Sequence, residues 1–214
     1  MKLKQRWYRR HQLFNQSVQP AYIPWLFDAS SLTARLLGRL GKDFRVQVIS
    51  QRWQKLAAEE ASAMALKNVH SALVRQVLLC DGDTPLVYAR TVIPATTIQG
   101  AQRRYANMGN RPLGAMLFAD RTMRREEVQV AVLPDINDIK LLIETDETVW
   151  GRRSVFRVAG KPLLVSEYFL PALIDSQKTQ TSLLCLTAQG IVGFFENENL
   201  LDLESTPECM LSAL

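Results

Sequence analysis

From residue 44 to residue 170 apolar and polar positions either alternate or run in short apolar blocks, the pattern of half-buried and buried strands. Phe44-Arg45-Val46-Gln47-Val48-Ile49 alternates cleanly. Ala72 to Leu79 and Leu86 to Pro94 flank Cys80-Asp81-Gly82-Asp83-Thr84-Pro85. The Asp-Gly pair there favours the positive φ of a tight turn, so the two runs predict a hairpin. Glu127–Val132 and Arg153–Val158 predict further strands. Ala159-Gly160-Lys161-Pro162 then turns the chain into Leu163-Leu164-Val165-Ser166-Glu167-Tyr168-Phe169-Leu170, an apolar run that holds one carboxylate.

Helical spacing is rarer. Asp28 to Gly41 predicts a helix, with Ser30 or Ser31 as its cap and Gly41 as its stop. Residues 97–108 also read as a helix, and residues 51–68, containing Ala and Glu, are helical in part. Residues 1–20 are polar and basic and predict loose packing or a short helix, ahead of the apolar anchor Ile23-Pro24-Trp25-Leu26-Phe27. Consecutive hairpins predict an α+β fold, a single antiparallel sheet with helices packed on one side. The domain is expected over residues 1–171. Residues 172–214 form an extension: a polar linker, a hairpin of Leu183–Leu186 with Ile191–Phe195, and an acidic tail.

Composition narrows the classes. A chain of 214 residues with 47% hydrophobic and 22% charged residues can bury one good-sized core. No apolar run is long enough to span a bilayer, and the basic N-terminus lacks the apolar core of a secretory signal. Three cysteines, odd in number and without paired metal spacing, fit a reducing cytoplasm. His11 and His70 are the only histidines, which argues against a His-based metal site or triad. The net charge of +5 raises nucleic-acid binding, but the basic residues are scattered and no nucleic-acid-binding signature accompanies them. No nucleic-acid partner is therefore expected. A positive field also attracts a small polyanion.

Three charged residues interrupt apolar strands. Glu167 is either a solvent-facing residue on a half-buried strand or a buried acid that needs a donor or cation. Arg75 and Arg90 lie on the two arms of the predicted hairpin, at comparable distances from its turn. Together near one acid they would grip a small dianion; otherwise both face solvent from the polar side of the sheet. Pro112-Leu113-Gly114 could offer backbone N–H groups to an anion. No phosphate-binding glycine loop or dinucleotide fingerprint is present.

Several segments, in order, are similar to the chorismate pyruvate-lyase family: Ser31-Leu32-Thr33 with Arg35, Val74-Arg75-Gln76-Val77-Leu78-Leu79-Cys80, Ala89-Arg90-Thr91-Val92-Ile93-Pro94, Pro112-Leu113-Gly114 with Leu117-Phe118, Trp150-Gly151-Arg152-Arg153-Ser154, and Lys161 through Pro171. The resemblance covers residues 22–171. It implies a closed internal cavity that holds 4-hydroxybenzoate, with ligand residues at Leu32, Arg75, Leu113 and Glu167. Glu167 and Arg90 are the implied catalytic residues. It further implies a cytoplasmic monomer that converts chorismate to 4-hydroxybenzoate and pyruvate for ubiquinone biosynthesis, without metal or cofactor. Residues 133–149 are longer and more acidic than the resemblance leads one to expect, and residues 172–214 find no counterpart in it. The alternative is a non-catalytic, aromatic-carboxylate-binding domain of a regulator-like protein. Such a protein should carry a winged helix ahead of the domain, and the residues before Trp25 are too few for one.

Overall fold

The computed structural model describes residues 5–15, 17–67, 71–133 and 147–176. The chain divides into two units, Met1–Thr179 and Gln180–Leu214, and every described residue lies in the first. The expected hairpin of residues 183–195, the acidic tail and most of residues 133–149 lie outside the described residues.

Alternation builds one antiparallel sheet from eight strands among the described residues. They are β1 (Tyr8–Arg9), β2 (Phe44–Lys55), β3 (Ser71–Asp81), β4 (Thr84–Pro94), β5 (Arg124–Arg125), β6 (Gln129–Val132), β7 (Trp150–Val158) and β8 (Lys161–Phe169). The spatial order is β1-β6-β7-β8-β4-β3-β2, with β5 pairing to β7. The β3–β4 hairpin forms where its turn chemistry predicts it, with Gly82 at φ +55°. Residues 171–176 are helical, and of the four α-helices that precede β5 among the described residues three are short: α1 (Ile23–Leu26), α3 (Ala58–Ala63) and α4 (Leu113–Phe118). The fourth, α2 (Leu32–Leu40), is capped by the Ser31 hydroxyl, which accepts from the Ala34 amide at 3.3 Å.

The expected helix over residues 97–108 is a 3-10 helix over Gly100–Tyr105, and the ambiguous stretch after residue 51 splits into the end of β2 and α3. α2 and α4 cover one face of the sheet, hereafter the inner face. α3 meets the opposite face through Glu59 and Glu60, so helices flank both faces.

The largest cluster of buried side chains joins α1 and α2 to the inner face through Trp25, Leu26, Leu36, Val77, Val87 and Phe169. Burying side chains of this size contributes about 1.5–3 kcal/mol each for the aliphatic ones. Core packing continues past β8, where Leu173 and Ile174 are buried.

Two irregularities decide which side chains face inward. The β3–β4 register shifts between Leu79 and Cys80, and the β2–β3 register shifts between Val48 and Ser50. A bulge reverses the parity of every residue beyond it. The first sets Arg75 opposite Thr91 and Gln76 opposite Arg90. The second sets Gln51 opposite Arg75, on the inner face.

Candidate active site

A pocket opens between the inner face and the caps formed by α2 and α4. Its floor is apolar: Val77, Leu79, Ala89, Phe156 and Val165 contribute from the strands, and Leu117 closes it from α4. Gly114 allows the two caps to meet, since a Cβ there would lie 2.6 Å from the Thr33 hydroxyl oxygen. Four residues expected at the site, Leu32, Arg75, Leu113 and Glu167, all line this pocket.

Glu167 points inward with a cation that the sequence reading did not assign to it. Arg152 is its direct cross-strand neighbour, and the Arg152 Nε donates to Glu167 Oε2 at 2.6 Å. Arg152 is only 2% exposed. Its Nη1 also donates to the carbonyls of Trp25 at 2.8 Å and Asp28 at 2.6 Å, tying the loop before α2 to the sheet. The pair is thus held by bonds on two sides, as a buried ion pair must be. Gly151, opposite Tyr168, makes room for that ring on the other face of β7. A Cβ there would sit 2.8 Å from the Glu167 carbonyl oxygen and clash with the Tyr168 ring. Arg152 and Arg153 are adjacent in Trp150-Gly151-Arg152-Arg153-Ser154. They lie within β7, and strand alternation sends them to opposite faces.

Arg75 is 3% exposed and has no carboxylate partner among the described residues. Its Nη1 donates to Gln51 Oε1 at 2.8 Å, and Nη2 makes a long contact of 3.5 Å to the Arg111 carbonyl. Gln51 Nε2 donates to the Ala106 carbonyl at 2.7 Å, which turns its oxygen towards the arginine. Burial pushes the Arg75 guanidinium below its ordinary value, yet an arginine stays charged. A second guanidinium, Arg125 on β5, also lines the pocket without a carboxylate partner among the described residues.

Arg90 is not brought to this site. It lies on the opposite face, where its Nε donates to Glu60 Oε1 at 2.9 Å. The bulge between Leu79 and Cys80 is the cause. Extended without it, the pairing of Asp81 with Thr84 would have set Arg90 directly opposite Arg75. Arg152, Arg125 and Gln51 escaped the sequence reading. Only the repeated arginines of Trp150-Gly151-Arg152-Arg153 carried a signal, because alternation must send one of such a pair inward.

Among the described residues no group of three or more His, Cys, Asp or Glu could hold a metal ion. Nor is any helix there long and apolar enough to cross a membrane.

Fold and site together define an α+β protein with an apolar pocket, lined by arginines, between its sheet and its caps. Residues 1–179 match the chorismate lyase family, and the chain belongs to that family. A probable chorismate pyruvate-lyase of Methylococcus capsulatus is 44% identical over 154 residues, covering 71% of this chain and 95% of the relative. One from Pseudomonas aeruginosa is 37% identical over 170 residues, covering 79% and 93%. A solved GntR-family transcriptional regulator from Bacillus cereus is 11% identical with a TM-score of 0.49, over 75% of this chain and 100% of that one, too distant to bear on function.

Proposed function

We propose that this protein is a chorismate pyruvate-lyase that eliminates pyruvate from chorismate to leave 4-hydroxybenzoate, without metal or cofactor, as a cytoplasmic step of ubiquinone biosynthesis. The observation that carries the reading is a pair of guanidiniums without counter-carboxylates, Arg75 and Arg125, in the apolar pocket that also holds Glu167.

Chorismate carries two carboxylates on a ring that is one elimination away from being aromatic. Arg75, with the amide of Leu113 at the start of α4, takes the ring carboxylate. Leu32 and the apolar floor pack against the ring. The bond between the ring and the enolpyruvyl oxygen breaks, and its electron pair leaves with that oxygen. A ring hydrogen is lost as a proton, and the leaving enol gains one to become pyruvate. Atoms balance without an oxidant. Aromatisation supplies the driving force, so the protein has to fix the conformer, exclude water and stabilise charge as the bond breaks. Glu167, whose carboxylate accepts from Arg152, handles a proton or orients the ether and phenol oxygens in this scheme. Arg90, on the far face, has no direct part in this scheme.

The test is incubation of the purified protein with chorismate in the presence of a chelator, with both products quantified. Equal amounts of 4-hydroxybenzoate and pyruvate are expected. Binding of 4-hydroxybenzoate without turnover would instead make this an aromatic-carboxylate-binding protein, and activity lost on chelation and restored by a metal would refute the cofactor-free scheme.

A further inference from the structure

We infer that Arg125 is the second anion-binding residue of the pocket and takes the side-chain carboxylate of a dicarboxylate substrate, while Arg75 takes the ring carboxylate; this rests on the lyase reading above. Three buried or half-buried guanidiniums line the pocket, Arg75, Arg125 and Arg152, against one carboxylate, Glu167. Glu167 is bonded to Arg152, so that pair is internally neutral. Neither Arg75 nor Arg125 makes an ion pair among the described residues, although the Glu167 and Asp28 carboxylates act on Arg125 through space. Two cations without an ion pair in an apolar pocket are costly when it is empty and favour a dianion as occupant. Arg111 also reaches the pocket, but it is exposed and its charge is met by solvent.

Geometry then distinguishes Arg125 from a purely structural arginine. Its Nε donates to Ser154 Oγ at 3.0 Å, and its Nη1 donates to the carbonyls of Asp28 at 3.3 Å and Ala29 at 3.2 Å. Its Cζ stands 5.3 Å from the centroid of Phe156, a residue of the pocket floor. These contacts fix the guanidinium plane and leave Nη2 without a hydrogen bond among the described residues. All of its protein acceptors are neutral, which is unusual for an arginine held so firmly, because the strong partner of a guanidinium is an anion.

The two cations also stand on opposite sides of the pocket. Arg75 is on β3, and Arg125 is on β5 beside β7. The path from β5 to β3 crosses β7, β8 and β4, four strand spacings or about 19 Å. Two arginines reaching inward from either side leave room for one small ring with a carboxylate at each end. A substrate bearing two carboxylates engages both residues, whereas a product that keeps only the ring carboxylate engages Arg75 alone. This asymmetry gives the site a physical reason to hold the substrate by one contact more than the product.

The experiment measures KM for chorismate and the dissociation constant of 4-hydroxybenzoate on wild type, Arg125→Gln and Arg125→Lys. Arg125→Gln is expected to raise KM about tenfold or more while product affinity stays within about twofold; Arg125→Lys, which keeps the charge, should recover part of the KM. On unaltered protein, 3-(carboxymethoxy)benzoate, with a ring carboxylate and an ether-linked carboxylate, should bind more tightly than benzoate. That comparison decides the matter even if the variants fail to fold. Equal affinity for the two benzoates, or equal losses of substrate and product binding in Arg125→Gln, would overturn the inference. Wild type that does not turn over chorismate would overturn the lyase reading itself. Turnover by wild type with an unchanged KM in Arg125→Gln would overturn the role of Arg125 alone.

Discussion

On the inner face, Arg75 and Arg125 have no carboxylate partner among the described residues, whereas on the opposite face Arg90 pairs with Glu60 and Arg153 pairs with Glu59. The same strands supply both faces. Gln76, Arg90, Ser166 and Arg153 form one row across β3, β4, β8 and β7 on the far face. Val77, Ala89, Glu167 and Arg152 form a neighbouring row on the inner face. The far face also has a cavity, where Arg90 and Arg153 are each paired with a glutamate and the further arginine, Arg52, is exposed and met by solvent. Arg153 stacks with its Cζ 4.4 Å from the Trp7 ring centroid, and the Tyr168 hydroxyl donates to Gln5 at 3.0 Å. Burial pushes the Tyr88 phenol there up to about 12, which keeps it protonated at neutral pH. The difference teaches that a cavity lined with arginines is not by itself an anion site. What marks the inner pocket is positive charge that no ion pair among the described residues meets.

The largest expected effect tests the one matched pair on the inner face. Arg152→Ala leaves Glu167 without its cation and strips donors from the Trp25 and Asp28 carbonyls. Stability should fall by about 3–5 kcal/mol, the usual cost of breaking a buried pair from one side. Urea unfolding measures it, and a loss below about 1 kcal/mol would show that the pair is solvated.

An unmatched cation should behave differently. Arg75→Ala is expected to weaken 4-hydroxybenzoate binding by about 2–5 kcal/mol with little loss of stability. Arg75→Lys should recover little, because a point charge does not reproduce a bidentate grip. Calorimetry on both variants checks this. Near-normal affinity in Arg75→Ala would remove the distinction between the faces.

Arg90→Ala is the reciprocal experiment. Glu60 is largely buried, and its second carboxylate oxygen already has no hydrogen-bond partner among the described residues. Removing its cation should cost about 1–3 kcal/mol of stability and leave 4-hydroxybenzoate affinity unchanged. A loss of affinity comparable with that of Arg75→Ala would mean that the far cavity takes part in binding.

The smallest effect concerns pH. Burial alone would raise the Asp28 carboxyl, but hydrogen bonds from the Ser30 hydroxyl and amide, with Arg35 nearby, hold it below its ordinary value. A carboxyl lowered on folding stabilises the protein above its unfolded value, near about 4, and that contribution is lost as pH falls through the folded value. The stability of wild type should therefore fall on acidification more steeply than that of Asp28→Asn. Urea midpoints measured across that range check the difference, and parallel curves would exclude Asp28 as a source of acid sensitivity.

Much of the inner site was legible because an isolated charge in an apolar strand is conspicuous. Arg75 and Glu167 stood out for that reason, and Leu32 and Leu113 entered through the resemblance. Arg90 was equally conspicuous, but parity along a strand depends on bulges. The one between Leu79 and Cys80 carries no sequence mark strong enough to reveal it. Gln51 was hidden in the same way, behind the bulge between Val48 and Ser50 in a stretch that read as ambiguous. Arg125 was illegible for another reason. It sits on a two-residue strand, too short for alternation to show, and gains its position only from pairing with β7. The antiparallel sheet was readable from its hairpins. The acids of α3 that neutralise the far face were not, because their partners are distant in sequence.

Binding of the aromatic carboxylate in the inner pocket is tested most directly by a crystal structure with 4-hydroxybenzoate bound. The ring is expected among Val77, Leu79, Phe156 and Val165, with its carboxylate on the Arg75 guanidinium and its hydroxyl towards Glu167. Ligand found instead in the far cavity against Arg90, with the inner pocket occupied only by water, would contradict it.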